Sequence, residues 1–373
     1  MTRNFIPVNE PLLDGNEKAY LAQCIDTGWI SSEGPFVEQF ESGMAALCGR
    51  KYAIAVANGT VALEAAVVAL GIGEGDEVIL PTFTIISCAG AIVRAGAVPV
   101  VIDSDAATWN LDVAQIEHRI TSRTKALMAV HIYGLPVDMD PLLELAQRHG
   151  LEVIEDAAQM HGQTYRGRPC GSFGKLSTFS FYPNKLVTTG EGGMIVTDDA
   201  ALAERCRSLR NLCFRAERRF VHEDLGFNYR LTNLQAALGV AQLEKLSDTI
   251  VRKRRIGARY RELLAGVKGL QLPIDRTEFA ESLYWVYGVV LDDSVDFDAA
   301  TAMKMLQERG VGTRPFFWPM HEQPVFRRMG LFENEHHPVA ERLARRGFYL
   351  PSGVALRDEQ MIAVAEAVRE VLG

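Results

Sequence analysis

Between residues 50 and 200 the chain alternates short apolar runs with stretches of helical period, and this pattern most restricts the fold. The runs are YAIAVA (52–57), EVILP (77–81), VPVVID (98–103), ALMAVH (126–131), LEVIED (151–156), STFSF (177–181) and GMIVTD (193–198). They do not alternate strictly between polar and apolar residues. Strands covered on both faces need apolar side chains at nearly every position. Helical stretches such as GTVALEAAVVALGI (59–72) lie between them. The pattern predicts an α/β domain with a mostly parallel central sheet.

In such sheets ligands bind beyond the carboxyl ends of the strands. Asn58, His131, Asp156 and Ser180 end four of these strands and are expected to converge. Residues 232–267 read as one long helical stretch leading into a second unit. That unit contains a strand at 283–291, a helix near 298–309, the Pro-rich RPFFWPMHEQP (314–324) and two closing helices. We expect a large domain over 1–245 and a smaller α+β domain over 246–373.

The net charge of −8 argues against a general nucleic-acid binder, which carries a basic stripe. One basic cluster, residues 205–220, reads as a solvated helix face followed by a loop. The six cysteines form no CxxC pair and no metal-ligand spacing. The N-terminal stretch has no apolar signal core, and no run reaches the ~18 apolar residues of a membrane span. A cytoplasmic protein with reduced thiols, no metal and no membrane partner is expected.

Asn58-Gly59-Thr60 joins a strand end to a helix start, where free N–H groups suit a phosphate; an ordinary helix cap would look the same. Asp156 ends LEVIED; it could cap a helix, or pair with a protonated heterocyclic nitrogen. Ser180 offers a hydroxyl, and Lys185 follows the same strand before a turn with Gly190, Gly192 and Gly193. Alone, such a lysine reads as a surface residue. Together, a phosphate cradle, an Asp and a Ser–Lys pair at strand ends are the equipment of a pyridoxal 5'-phosphate enzyme.

Motifs along nearly the whole chain carry a resemblance. They include GWISSEGPFVEQFE, VANGTVALEAA, VIEDAAQMHG, TFSFYPNKLVTTGEGG, FNYRLTNLQAALGVAQLE and RPFFWPMH. The chain resembles the DegT/DnrJ/EryC1/StrS family of sugar aminotransferases, which have the aspartate aminotransferase-type fold (fold type I). The resemblance implies transfer of an amino group from glutamate to a nucleotide-linked keto sugar, most closely a 4-keto-6-deoxy sugar aminated at C4. Amination at C3, a dehydration or a non-sugar acceptor are the alternatives within the fold.

The resemblance also implies residue roles. Lys185 matches the lysine that bonds the cofactor, and Asp156 the partner of its ring nitrogen. Gln159 lies near the ring hydroxyl; Gly59, Thr60 and Ser180 contact the phosphate. Asn228 matches an asparagine that reaches the neighbouring subunit's cofactor, which implies a homodimer with shared sites and makes the basic segment before it an interface or nucleotide-binding loop. Lys185 stands where the family's dehydrating branch carries histidine, which favours transamination. Ile85 stands where many members place an aromatic ring over the cofactor; Ile85 itself or Phe83 would have to cover it here. Trp29, Ser31, Phe316 and His321 are candidates for the sugar nucleotide, with core packing the alternative for Trp29 and Phe316. Arg215 or Arg219 would meet its diphosphate, since guanidinium matches phosphate oxygens.

Overall fold

The structure, a computed structural model, describes residues 5–373; the first four residues of the N-terminal stretch read above for a signal core lie outside it. Every apolar run between 52 and 198 is a strand of one seven-stranded sheet. These are β1 (Tyr52–Val56), β2 (Glu77–Pro81), β3 (Val98–Ile102), β4 (Thr124–Val130), β5 (Glu152–Asp156), β6 (Leu176–Ser180) and β7 (Gly193–Thr197). The order is β1-β7-β6-β5-β4-β2-β3. The pairs β2·β3, β2·β4, β4·β5 and β5·β6 are parallel. β7 runs antiparallel to both β6 and β1.

Helices cover both faces, which accounts for the unbroken apolar runs. Val78, Leu80, Met128 and Val130 enter a core shared with α2 (Pro35–Cys48) and α4 (Ile86–Arg94); α1 (Glu17–Thr27) and α3 (Gly59–Ala69) add Cys24, Leu63 and Val67 to it. Ile79, Leu127 and Ala129 point the other way, onto Leu142 and Leu145 of α5 (Met139–His149). Successive strand residues alternate between faces, so each face needs its own apolar set.

The stretch expected as one helix is two: α7 (Asn233–Glu244) and α8 (Leu246–Leu263), which meet at Lys245; α6 (Ala200–Arg210) precedes them. Thr232 and Gln235 form a capping box that starts α7. The C-terminal unit holds a four-stranded antiparallel sheet of β8 (Leu270–Gln271), β9 (Tyr287–Leu291), β10 (Arg314–Pro315) and β11 (Gly347–Leu350), ordered β8-β9-β11-β10. The strand β11 lies between the two expected closing helices, Pro338–Arg346 and Asp358–Leu372. The expected boundary at 246 falls at the start of α8. The N-terminal segment, however, packs with the C-terminal unit: Ile6 bridges to Val311 and joins a core with Tyr260, Leu306 and Val364. Among the described residues no helix is long and apolar enough to cross a membrane.

Candidate active site

A cleft of about 670 Å³ opens at the carboxyl ends of β1, β5 and β6, within the size range of small-molecule sites. Asn58, Asp156 and Ser180 line it, as the strand-end rule requires. His131 does not. It is buried inside the sheet, its Nε2 donating to Glu155 at 3.0 Å while Nδ1 accepts from the Val137 N–H at 3.1 Å.

One end of the cleft is the start of α3. Asn58 caps the helix, its Oδ1 accepting from the Val61 N–H at 3.1 Å. The other first-turn N–H groups have no partner within the helix. Three hydroxyls surround them: Ser180 lines the cleft, and Thr60 Oγ1 lies 2.7 Å from Ser87 Oγ. The packing is tight enough to demand glycine. A Cβ on Gly59 would stand 2.6 Å from Ser180 Cβ, and one on Gly193 would stand 2.3 Å from the Asn58 carbonyl oxygen. Gly190 has φ +79°, the left-handed conformation that favours glycine. N–H and hydroxyl donors at a positive helix end suit a phosphate.

Deeper in the cleft, Asp156 is buried. Its Oδ1 accepts from the Ala158 N–H at 3.0 Å and its Oδ2 from the Cys88 thiol at 3.3 Å. Burial pushes its pKa up, while those two donors and the nearby Lys185 pull it down. Gln159 Oε1 accepts from the Tyr133 N–H at 2.5 Å, which fixes the amide at the cleft wall.

Lys185 faces the same space. Burial pulls its pKa down to about 8, against the fields of Asp156 and Cys88, which raise it. Its Nζ lies 3.8 Å from the centre of the Trp285 ring. His161 is buried between Phe179 and Phe181, and burial together with Lys185 lowers its pKa to about 3, so it stays neutral. Phosphate donors, a buried carboxylate and a near-neutral amine therefore share one cleft. That donor set fits pyridoxal phosphate, which has a phosphate, a ring nitrogen that can be protonated, and an aldehyde that an amine can bond.

Ile85 lines the cleft and is 43% exposed. Phe83 cannot cover a bound ring: it is fully buried and packs on Phe316 at 5.8 Å. The aromatic walls are Tyr182, Trp285, Phe317 and Tyr349.

Several expected substrate contacts lie elsewhere. Phe316 is a core residue, packed on Trp109 at 5.3 Å and Tyr133 at 4.8 Å; its neighbour Phe317 is the one that lines the cleft. His321 is fully buried, with Nδ1 2.7 Å from Thr82 Oγ1 and Nε2 3.1 Å from Glu341, and it ties the C-terminal unit to the end of β2. Trp29, Ser31 and Arg219 meet in a second groove of about 800 Å³, together with Arg207 and Arg230. This groove shares no lining residue with the cleft. Arg215 pairs with Glu223 at 2.7 Å on an exposed loop. Asn228 is exposed, bridges to Asn211 and does not line the cleft. Reading the sequence missed Cys88, Trp285, Phe317 and Tyr349. Cys88 and Trp285 sit inside apolar helical or strand-like runs, and their roles arise only from contacts distant in sequence.

The family model described as the DegT/DnrJ/EryC1/StrS aminotransferase family matches residues 11–369. The chain is 44% identical over 367 residues to GDP-perosamine synthase of Caulobacter vibrioides, covering 98% of each protein. It is 42% identical over 366 residues to GDP-perosamine synthase of Escherichia coli O157:H7, again covering 98% of each. The crystal structure of DesV from S. venezuelae matches with a TM-score of 0.88 at 38% identity, over 95% of this chain and 94% of that one.

Proposed function

From the premise that this chain belongs to the DegT/DnrJ/EryC1/StrS aminotransferase family, and is a pyridoxal phosphate-dependent sugar aminotransferase, we propose that it aminates C4 of a GDP-linked 4-keto-6-deoxy sugar, with glutamate as donor. The observation that carries this reading is the convergence of Lys185, Asp156 and the Gly59–Thr60–Ser180 cradle on one cleft. The choice of sugar rests on the names of the two relatives.

Bound pyridoxal phosphate supplies the carbonyl carbon that takes up the amine and a ring that withdraws electrons from it. The start of α3, with Thr60 and Ser180, holds the phosphate. Asp156 would hold a proton on the ring nitrogen, and Gln159 would stand by the ring hydroxyl. Lys185 Nζ would be the amine that bonds the cofactor's carbonyl carbon. As a free amine it would take the proton from the donor's α-carbon. A pKa of about 8 leaves a useful fraction of free amine near neutral pH.

The exposed Asn228 and the groove of Trp29, Ser31 and Arg219 complete the reading in a homodimer. Asn228 reaches the cofactor of a second copy, and Arg219, with Arg215 nearby in sequence, meets the sugar-nucleotide diphosphate across the interface. Such an enzyme works in the cytoplasm, where nucleotide sugars are made.

The test is an absorption spectrum with added pyridoxal phosphate, before and after glutamate, followed by a panel of keto-sugar nucleotides with product analysis. The expected outcome is loss of the long-wavelength band with glutamate and its return with the GDP-linked 4-keto sugar. Return of the band only with a different nucleotide sugar would overturn the substrate assignment. Mixing Lys185→Ala with Asn228→Ala protein should restore part of the activity if the sites are shared; no recovery in a proven mixed dimer would reject sharing.

A further inference from the structure

We propose that Trp285 is a positioning residue for Lys185: its ring face holds the ε-ammonium and its indole N–H fixes the backbone just upstream. The proposal rests on the assignment of Lys185 as the cofactor-bonding amine. Trp285 comes from the C-terminal unit, at the entry to β9, whereas Lys185 belongs to the large unit. Lys185 Nζ sits 3.8 Å from the ring centre, and Trp285 Nε1 donates to the Asn184 carbonyl at 2.8 Å. One side chain thus holds both the charge and the peptide that precedes it.

The tryptophan is itself held. Tyr133 stacks on it at 6.1 Å. The buried amine of Lys253, from α8, donates to the Trp285 carbonyl at 2.9 Å and to the Ser352 carbonyl at 2.5 Å. A small void lies between Lys185 and Lys253, with Glu10 and Trp285 also in its wall. In front of Lys185, Glu191, Tyr182 and Tyr349 line the cleft; Asp156, Cys88 and His161 interact with its charge directly.

The chemistry needs such a surface. In a transamination cycle the lysine would be a free amine in the middle of both half-reactions, gaining and losing a proton in each. In a buried setting the ammonium is costly, and the electron-rich face of an indole offsets that cost without a hydrogen bond that would have to break. A desolvated contact of this kind is of the order that raises a lysine pKa by about one unit, a tenfold change.

The experiment is pH-dependent competitive acetylation of the cofactor-free protein, with Lys185 followed by peptide mass mapping. Trp285→Leu removes the ring face, and Trp285→Phe keeps one. The expected result is a fall of about one unit in the Lys185 pKa with leucine and recovery of most of it with phenylalanine. If the leucine variant does not fold, fluorinated tryptophans in the otherwise native chain give the same readout, with the pKa falling stepwise as fluorine is added and flat in a Trp285→Phe background. A Lys185 pKa unmoved by Trp285→Leu or by fluorination overturns the proposal. Borohydride trapping of pyridoxal phosphate tests the underlying assignment separately: no label on Lys185 would sink that reading while the titration still reports on the tryptophan.

Discussion

Gly59→Ala separates the phosphate cradle from the fold. An added Cβ would meet Ser180 Cβ at 2.6 Å, its Oγ at 3.1 Å and its Cα at 3.3 Å. Carbon atoms pack at about 3.5–4.0 Å, so the helix start and the end of β6 must separate by roughly 1 Å. The backbone itself permits alanine, because Gly59 is not among the positive-φ glycines. Alanine is also the better helix former by up to about 1 kcal/mol. Overpacking costs about 1–3 kcal/mol, so the net loss of fold stability is about 1 kcal/mol. Cofactor binding loses more. Donors displaced by roughly 1 Å leave hydrogen-bonding range, and one hydrogen bond to a charged group is worth about 1.5–3 kcal/mol. Affinity for pyridoxal phosphate should fall by roughly 10- to 150-fold. The assay is an absorbance titration of cofactor-free protein, with thermal unfolding measured beside it. A native Kd with a lowered Tm would refute the cradle and leave only a packing role for Gly59.

Further perturbations address the other groups. Lys185 titrates at about 8, below its ordinary 10.5, so its free amine falls about tenfold per pH unit below 8. The rate at which cofactor-free protein bonds pyridoxal should fall likewise; a flat profile from pH 6 to 8 would contradict the lowered pKa. Lys253 is lowered to about 7 by burial, so the fold disfavours its charged form, and its contribution to stability rises with pH from about 7 towards 10.5. Lys253→Met should destabilise by about 1–3 kcal/mol by leaving two buried carbonyls unpaired. Denaturant titrations should show that loss shrinking as pH falls from about 10 towards 7 and levelling off below; a loss that grows instead would reverse the sign. Cys88→Ala removes a donor from Asp156 and should raise the Asp156 pKa further, weakening cofactor affinity by a few-fold at acidic pH; unchanged affinity at pH 5 would count against it. Ile85→Tyr should tighten cofactor binding by about 0.5–1.5 kcal/mol through ring stacking, and an unaltered dissociation constant would show that Ile85 is not over the ring.

The layers and the strand ends follow from the residue pattern alone. Seven unbroken apolar runs require cover on both faces, and Val78, Ile79 and Leu80 show it, pointing alternately into two cores. Because ligands in such sheets bind beyond the carboxyl ends of the strands, the sequence positions of Asn58, Asp156 and Ser180 place them together. His131 was the exception. Its chain position resembles the others, yet Glu155 and the Val137 N–H turn it into the sheet, where a buried imidazole needs partners.

Which neighbour of a pair faces the cleft depends on packing between distant elements. Phe316 and Phe317 are indistinguishable by type, and the packing on Trp109 and Tyr133 takes the first and leaves the second. Trp285 and Lys253 read locally as parts of an apolar strand and a charged helix. Their hydrogen bonds to Asn184 and Ser352 span 101 and 99 residues of chain, and the one between them spans 32. Periodicity is a local property that each element carries with it. The charge state of a buried amine depends on what the whole fold brings to within a few ångströms, and no local pattern encodes that.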